Sequence, residues 1–267
     1  MSTVPTFSPT SETSPLVSSP DHHSTTLSLP PPTPTEPHVE HHFSSPEVLR
    51  DAIIGLSDGL TVPFALAAGL SSLDSTRIVV AAGFAELIAG AISMGLGGYL
   101  AARTDADHYD AELAREYQEV EEKPEEEAEE IIQILQPYGL DRPSLLPVLD
   151  RLRQDPDKWV DFMMKFELNL ERPDPYRSIL SAITIGGSYL LGGLIPLLPY
   201  CLTSHTLHAL FISTAITLLA LLAFGYTKSR LVSPHRPWAG AIQTMFVGAI
   251  AAAAAYGLVL LFPEARE

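Results

Sequence analysis

The sequence predicts an all-α membrane protein with five transmembrane helices and an acidic helical domain inserted between the second and third. Three observations predict it. Five apolar stretches of 20 to 24 residues recur along the 267-residue chain. A mean hydropathy of +0.16 coexists with 32 acidic side chains against 16 basic ones, which suggests two populations averaged together. Most of the acidic excess falls in one segment between the second and third stretches.

The first element, residues 1–46, is Ser/Thr/Pro-rich with ten prolines and no long apolar run. It cannot bury enough surface to offset the entropy of ordering it, which predicts a disordered tail. A basic start, an apolar central region and a small-residue cleavage site are all missing, so it does not read as a secretory signal. His22, His23, His38, His41 and His42 lie here; they could collect a metal weakly or be ordinary tail composition.

Residues 47–102 hold the apolar stretches Asp51–Leu73 and Ile78–Ala101, and residues 178–267 hold Ile179–Leu202, Leu207–Tyr226 and Ala239–Phe262. A bilayer core of about 30 Å needs roughly 20 helical residues, so each stretch predicts a span. Gly90, Gly95, Gly97 and Gly98 in the second, and Gly186, Gly187, Gly192 and Gly193 in the third, suit close helix packing in lipid. Pro63, Pro196 and Pro199 are expected to kink or break their helices. Arg50 precedes the first span, and Lys228, Arg230 and Arg236 follow the fourth, whereas Thr203–Thr206 carries no basic residue. That bias predicts a cytosolic N-terminus and a C-terminus on the opposite side.

Residues 103–177 carry 21 acidic and 10 basic side chains. Asp105–Glu130 lacks Gly and is rich in Glu, which predicts helix with a break at Pro124, continuing through Leu135 until Pro137 and Gly139 stop it. Further helices are expected over Ser144–Gln154 and Pro156–Asn169. The orientation makes this an acidic cytosolic domain.

Composition excludes several functions. A net charge of −16 opposes nucleic-acid binding and suits cations. A single Cys, Cys201, permits neither an internal disulfide nor a Cys-rich zinc module. No His-Glu-x-x-His motif and no His-rich set near the spans supports an integral membrane enzyme, which is the weakest reading. His205 and His208, beside Cys201, look incidental.

Carboxylates inside the spans are more informative, because a charge at the bilayer centre costs about 3 kcal/mol on insertion scales and marks a functional candidate. Asp51 opens the first span and Asp58 lies a third of the way in, seven residues on and so about 10 Å along one helix face. Asp51 reads equally as an N-terminal cap at the headgroup level. Glu86 is well inside the second span. No Lys or Arg lies deep in any span, so Asp58 and Glu86 must be protonated or meet a cation; the plain alternative is a protonated carboxyl hydrogen-bonded between helices. Met94, about 12 Å beyond Glu86 on the same broad face, either packs or offers a thioether to a softer divalent ion.

Outside the spans, Glu116 with Glu119 and Glu127 with Glu130 form two pairs at i, i+3, and a turn at Lys123–Pro124 could fold them together. Met163, Met164 and Glu167 share one helix face further on. Together they would make an oxygen-rich divalent site with a soft edge, unless the Glu run is simply a solvated face.

The first span, Asp-Ala-Ile-Ile-Gly-Leu-Ser-Asp-Gly-Leu-Thr-Val-Pro-Phe-Ala-Leu-Ala-Ala-Gly-Leu-Ser from Asp51 to Ser71, is long and specific. With Glu86, Ala-Gly-Ala-Ile-Ser-Met-Gly at 89–95, and Gly-Gly-Leu-Ile-Pro-Leu-Leu-Pro-Tyr at 192–200, it resembles the vacuolar iron transporter family of fungi and plants over residues 43–262. The resemblance implies a homodimer in the vacuolar membrane that exchanges cytosolic Fe²⁺, often also Mn²⁺, for protons, with no permanently bound cofactor. It implies a lumenal C-terminus and no enzymatic activity. By position it assigns Asp58, Glu86, Met94 and Tyr189 to the membrane pathway. It assigns Glu116, Glu119, Glu127, Glu130, Met163, Met164 and Glu167 to cytosolic metal binding. The other class of reading is a membrane-anchored metal sensor that binds ions without moving them; carboxylates in two spans argue against it.

Overall fold

The computed structural model describes residues 46–232 and 235–261; the expectations for the tail and its five histidines, and for the chain end from Phe262, lie outside the described residues. The described residues form eight α-helices: α1 (Pro46–Leu70), α2 (Thr76–Glu122), α3 (Pro124–Leu135), α4 (Arg142–Arg153), α5 (Pro156–Phe166), α6 (Arg177–Leu202), α7 (Thr206–Val232) and α8 (Pro237–Leu260). Short 3-10 turns follow α1 and α3. Five of the eight, α1, α2, α6, α7 and α8, are long and apolar enough to cross a membrane.

Small residues decide how these five pack. Along α1 the buried positions Asp51, Gly55, Gly59 and Pro63 recur every fourth residue and make one stripe. That stripe lies on α6: a Cβ added at Gly55 would meet Ser188 at 2.8 Å, and one at Gly193 would meet the Pro63 ring at 2.8 Å. The facing stripe of α2 meets the same helix, where a Cβ at Gly186 would stand 2.7 Å from the Ala91 carbonyl. The third span is therefore the hub. It packs extensively against both α1 and α2, while α1 and α2 touch each other much less. α7 and α8 pair with each other, with α8 also against α1 and α7 also against α6.

Pro63, Pro196 and Pro199 all lie inside helices that continue past them, so none breaks its span. α7 runs six residues beyond Tyr226 and takes up Lys228 and Arg230, leaving Arg236 in the connection; long unbranched side chains prolong a helix readily.

The largest departure concerns α2, whose 47 residues pass through positions 102 and 103 without interruption. The apolar run ends there, but no Gly or Pro follows until Pro124, so the backbone has no reason to turn. The helix then carries its own continuation into a second core. Tyr109 and Val120 of α2, Ile131 and Ile132 of α3, Leu145 and Leu149 of α4, and Trp159, Val160, Met163 and Met164 of α5 bury one another. α4 opens at Arg142 with Asp141 as its cap, its carboxylate accepting from the Ser144 N–H at 3.3 Å. α5 ends at Phe166, short of Asn169, because the chain reverses there: the Leu170 N–H donates to the Met164 carbonyl at 2.8 Å and Asn169 adopts φ 53°.

Candidate cation sites

Two groups of carboxylates stand out, one in the helical insert and one among the spans.

In the insert, the stop at Lys123 sets the geometry. Its backbone N–H donates to the Glu119 carbonyl at 2.7 Å, closing α2, and Pro124 starts α3 in a new direction. The turn brings Glu116 of α2 and Glu127 of α3 beside Glu167, the residue that caps the C-terminal end of α5. One carboxylate oxygen from each lies within 4.8 Å of the others. Glu116 is only 1% exposed and Glu127 only 4%. Each has an oxygen, Oε2, buried without a hydrogen-bond partner. Glu167 is exposed as a whole residue, yet its carboxylate joins this group.

Burial, then the charges of Glu130, Glu116, Glu167 and Glu119, push the Glu127 carboxyl up to about 7. Burial and the charges of Glu130, Glu116 and Glu119 push Glu167 up to about 7 as well, and a hydrogen bond with Glu130 adds to it. Glu130 thus belongs to the same group. Glu119 stands at its edge, 3.6 Å from the Arg115 guanidinium, which also touches Glu112 at 2.8 Å. Carboxylates at such separations repel one another, with the Arg115 guanidinium 3.8 Å from Glu116 Oε1 as a partial offset, and a divalent cation would relieve both the repulsion and the orphaned oxygens.

α3 separates its acidic residues by face. Glu125 and Glu129 point to α4 and bind Arg153 at 2.7 Å and Arg142 at 2.6 Å, while Glu127 and Glu130 face the cluster. Met163 and Met164 are buried in the apolar core beneath. The structure therefore assembles Glu116, Glu127, Glu130 and Glu167, with Glu119 at the rim and the two methionines in the supporting core.

Among the spans, Glu86 of α2 and Tyr189 of α6 meet directly: the phenol O–H donates to Glu86 Oε1. Glu86 Oε2 is buried without a partner. Met94 packs on the same cluster as Tyr189 and Leu87. Asp58 reaches this place by its backbone, since the next residue, Gly59, lies flat against the Tyr189 main chain, where a Cβ would sit 2.8 Å from Tyr189 Cα. The Asp58 residue itself is exposed on the outside of the bundle. Its helix and that of Glu86 are joined mainly through α6, and only to a smaller extent across the interface between the first two spans.

Asp51 is not a cap. α1 opens at Pro46, and Asp51 lies in the following turn, 2% exposed. Arg177, the first residue of α6, donates to its Oδ2 at 2.7 Å and also binds Glu47. Sequence reasoning counted Arg177 only among the basic residues of the insert; its position immediately before the third apolar stretch was the available signal. Glu112 was missed too, although it precedes Glu116 at helical spacing and extends the same acidic face.

The sequence profile of the VIT family matches residues 49–260. Vacuolar iron transporter 1 of Oryza sativa subsp. japonica is 55% identical over 222 residues, which is 83% of this chain and 88% of the rice protein. Vacuolar iron transporter 1 of Arabidopsis thaliana is 54% identical over 222 residues, again 83% of this chain and 88% of the relative. Protein CCC1 of Saccharomyces cerevisiae is 42% identical over 224 residues, 81% of this chain and 69% of the yeast protein.

Proposed function

The chain belongs to the VIT family, and on that premise we propose that it carries Fe²⁺, and Mn²⁺ as a second cargo, from the cytosol into the vacuole in exchange for protons. The observation that carries this reading is Glu86, a carboxylate in an apolar helix with one oxygen held by Tyr189 and the other buried without a partner. Such a group is stable as an acid or against a cation, and alternation between the two is sufficient for antiport.

In this reading the insert faces the cytosol, and Glu116, Glu119, Glu127, Glu130 and Glu167 collect the ion, with Met163 and Met164 close behind them. The acidic field of the insert raises the local cation concentration. Asp58, Glu86 and Met94 then replace part of the ion's water shell within the membrane, and protons from the acidic lumen displace it. The N-terminus is cytosolic and the C-terminus lumenal. Two copies assemble as a homodimer, which covers the outward-facing Asp58 and keeps its carboxylate from lipid.

The test is Fe²⁺ uptake into sealed proteoliposomes with an acidic interior, comparing the parent with Glu86→Ala. Gradient-dependent uptake that the substitution removes is expected. Metal binding without accumulation, with or without the gradient, would replace the transporter by a sensor confined to the insert.

A further inference from the structure

We infer that Gly90 is a positioning residue for the membrane carboxylate: its missing side chain is the space through which Tyr189 reaches Glu86. Gly90 lies on α2 at i+4 from Glu86, hence on the same face of the helix. A Cβ built there would stand 2.6 Å from each of Cε1, Cζ and the hydroxyl oxygen of Tyr189. The hydroxyl oxygen among them is the atom that donates to Glu86 Oε1. The Tyr189 main chain cannot carry the ring away, because it is pressed against Gly59 of α1 and the residue is 3% exposed, so the ring itself must turn. A single methyl group at position 90 therefore displaces the phenol from the carboxylate.

The consequence is for the orientation of Glu86. With Tyr189 donating to Oε1, the carboxylate is fixed and Oε2 is the oxygen left for a cation. Without that donor the carboxylate turns freely, and the preorganisation that lets it replace water around an incoming ion is lost. Gly90 acts here through Tyr189 and touches no ion itself. The inference rests on the reading of Glu86 as a pathway group, so the test separates the two.

The experiment measures the half-saturating Fe²⁺ concentration and the maximal uptake rate of the full-length protein in acid-loaded proteoliposomes. Gly90→Ala and Tyr189→Phe are each expected to raise half-saturation by roughly tenfold, the scale of one hydrogen bond to a charged group. A merely structural defect lowers the maximal rate and leaves half-saturation where it was. In a Tyr189→Ala background the collision is gone, so adding Gly90→Ala is expected to change nothing further. Parental or lower half-saturation in Gly90→Ala overturns the inference, as does a double variant whose losses multiply. Should Gly90→Ala alone fail to fold, the double variant must fold as well as Tyr189→Ala; its failure is equally fatal. Glu86→Gln is the separate control, since parental uptake in that variant removes the pathway reading whatever Gly90 does.

Discussion

The Arg177 guanidinium donates to Asp51 Oδ2 at 2.7 Å, joining the start of the third span to the start of the first across 126 positions of sequence. Both side chains are well buried, at 12% and 3% exposure. Removing one partner of a buried pair strands the other charge, which costs about 3–5 kcal/mol. Arg177→Ala is expected to lower the thermal midpoint in detergent by several degrees, whereas Asp51→Asn with Arg177→Met recovers most of the loss. Unchanged unfolding of the single variant would mean that Arg50, 3.8 Å from Asp51 Oδ1, takes over the pairing.

Ile54, Asp58 and Val62 lie every fourth residue on the outward face of α1, with the two apolar residues 41% and 43% exposed. A carboxylate at the centre of that stripe is costly against lipid. Val62→Cys, in a Cys201→Ser background, is expected to form a disulfide-linked dimer on mild oxidation in membranes. Val232→Cys, on α7 and 66% exposed, is the control and should not. Monomeric Val62→Cys under those conditions would remove the second copy from this face.

Glu127 and Glu129 are two residues apart on α3 but face different partners, the carboxylate cluster and Arg142. Loss of a buried ligand oxygen should matter far more than loss of an exposed ion pair, worth at most about 1 kcal/mol. Glu127→Gln is expected to weaken Mn²⁺ binding by tenfold or more, on the order of one charge-assisted contact. Glu129→Gln should leave it within about twofold. Calorimetry with Mn²⁺ decides it, and equal effects would place the ion elsewhere on the acidic surface.

Glu127 and Glu167 hold their protons up to about 7 in the folded protein, well above the ordinary glutamate range near 4.3. The folded state thus binds more protons than the unfolded one across that window. Stability from these groups is fully present below about 4.3 and is lost as pH rises through about 7. Cation binding needs the ionised forms and runs the other way. Mn²⁺ affinity is expected to rise between about pH 6 and about pH 8, with protons released on binding. Titrations in two buffers of different ionisation enthalpy measure that release; its absence would mean the carboxylates are already ionised.

Much of this was legible in the sequence because it is local. Span length follows from bilayer thickness, and the i, i+3 pairs Glu116/Glu119 and Glu127/Glu130 announce an acidic face whatever surrounds them. The stop at Pro124 was equally readable. The role of Tyr189 was not, and it came only with the family resemblance. The partners of Asp51 and Gly90 were also hidden, since each depends on which residue of another helix stands opposite.

What the sequence determined by itself is the inventory: five apolar helices, an acidic helical segment between the second and third, and carboxylates placed where lipid would not tolerate them unaided. Hydropathy and helical period are properties of a segment, so they survive without knowledge of the fold. The tertiary structure alone decided that α6 is the hub, that Tyr189 holds one oxygen of Glu86, and that Glu167 joins Glu116 and Glu127 while Glu125 and Glu129 bind arginines. These pairings depend on which faces interlock, and in this bundle glycines set that by allowing backbones to touch. A missing side chain has no pattern of its own until its neighbour is in place.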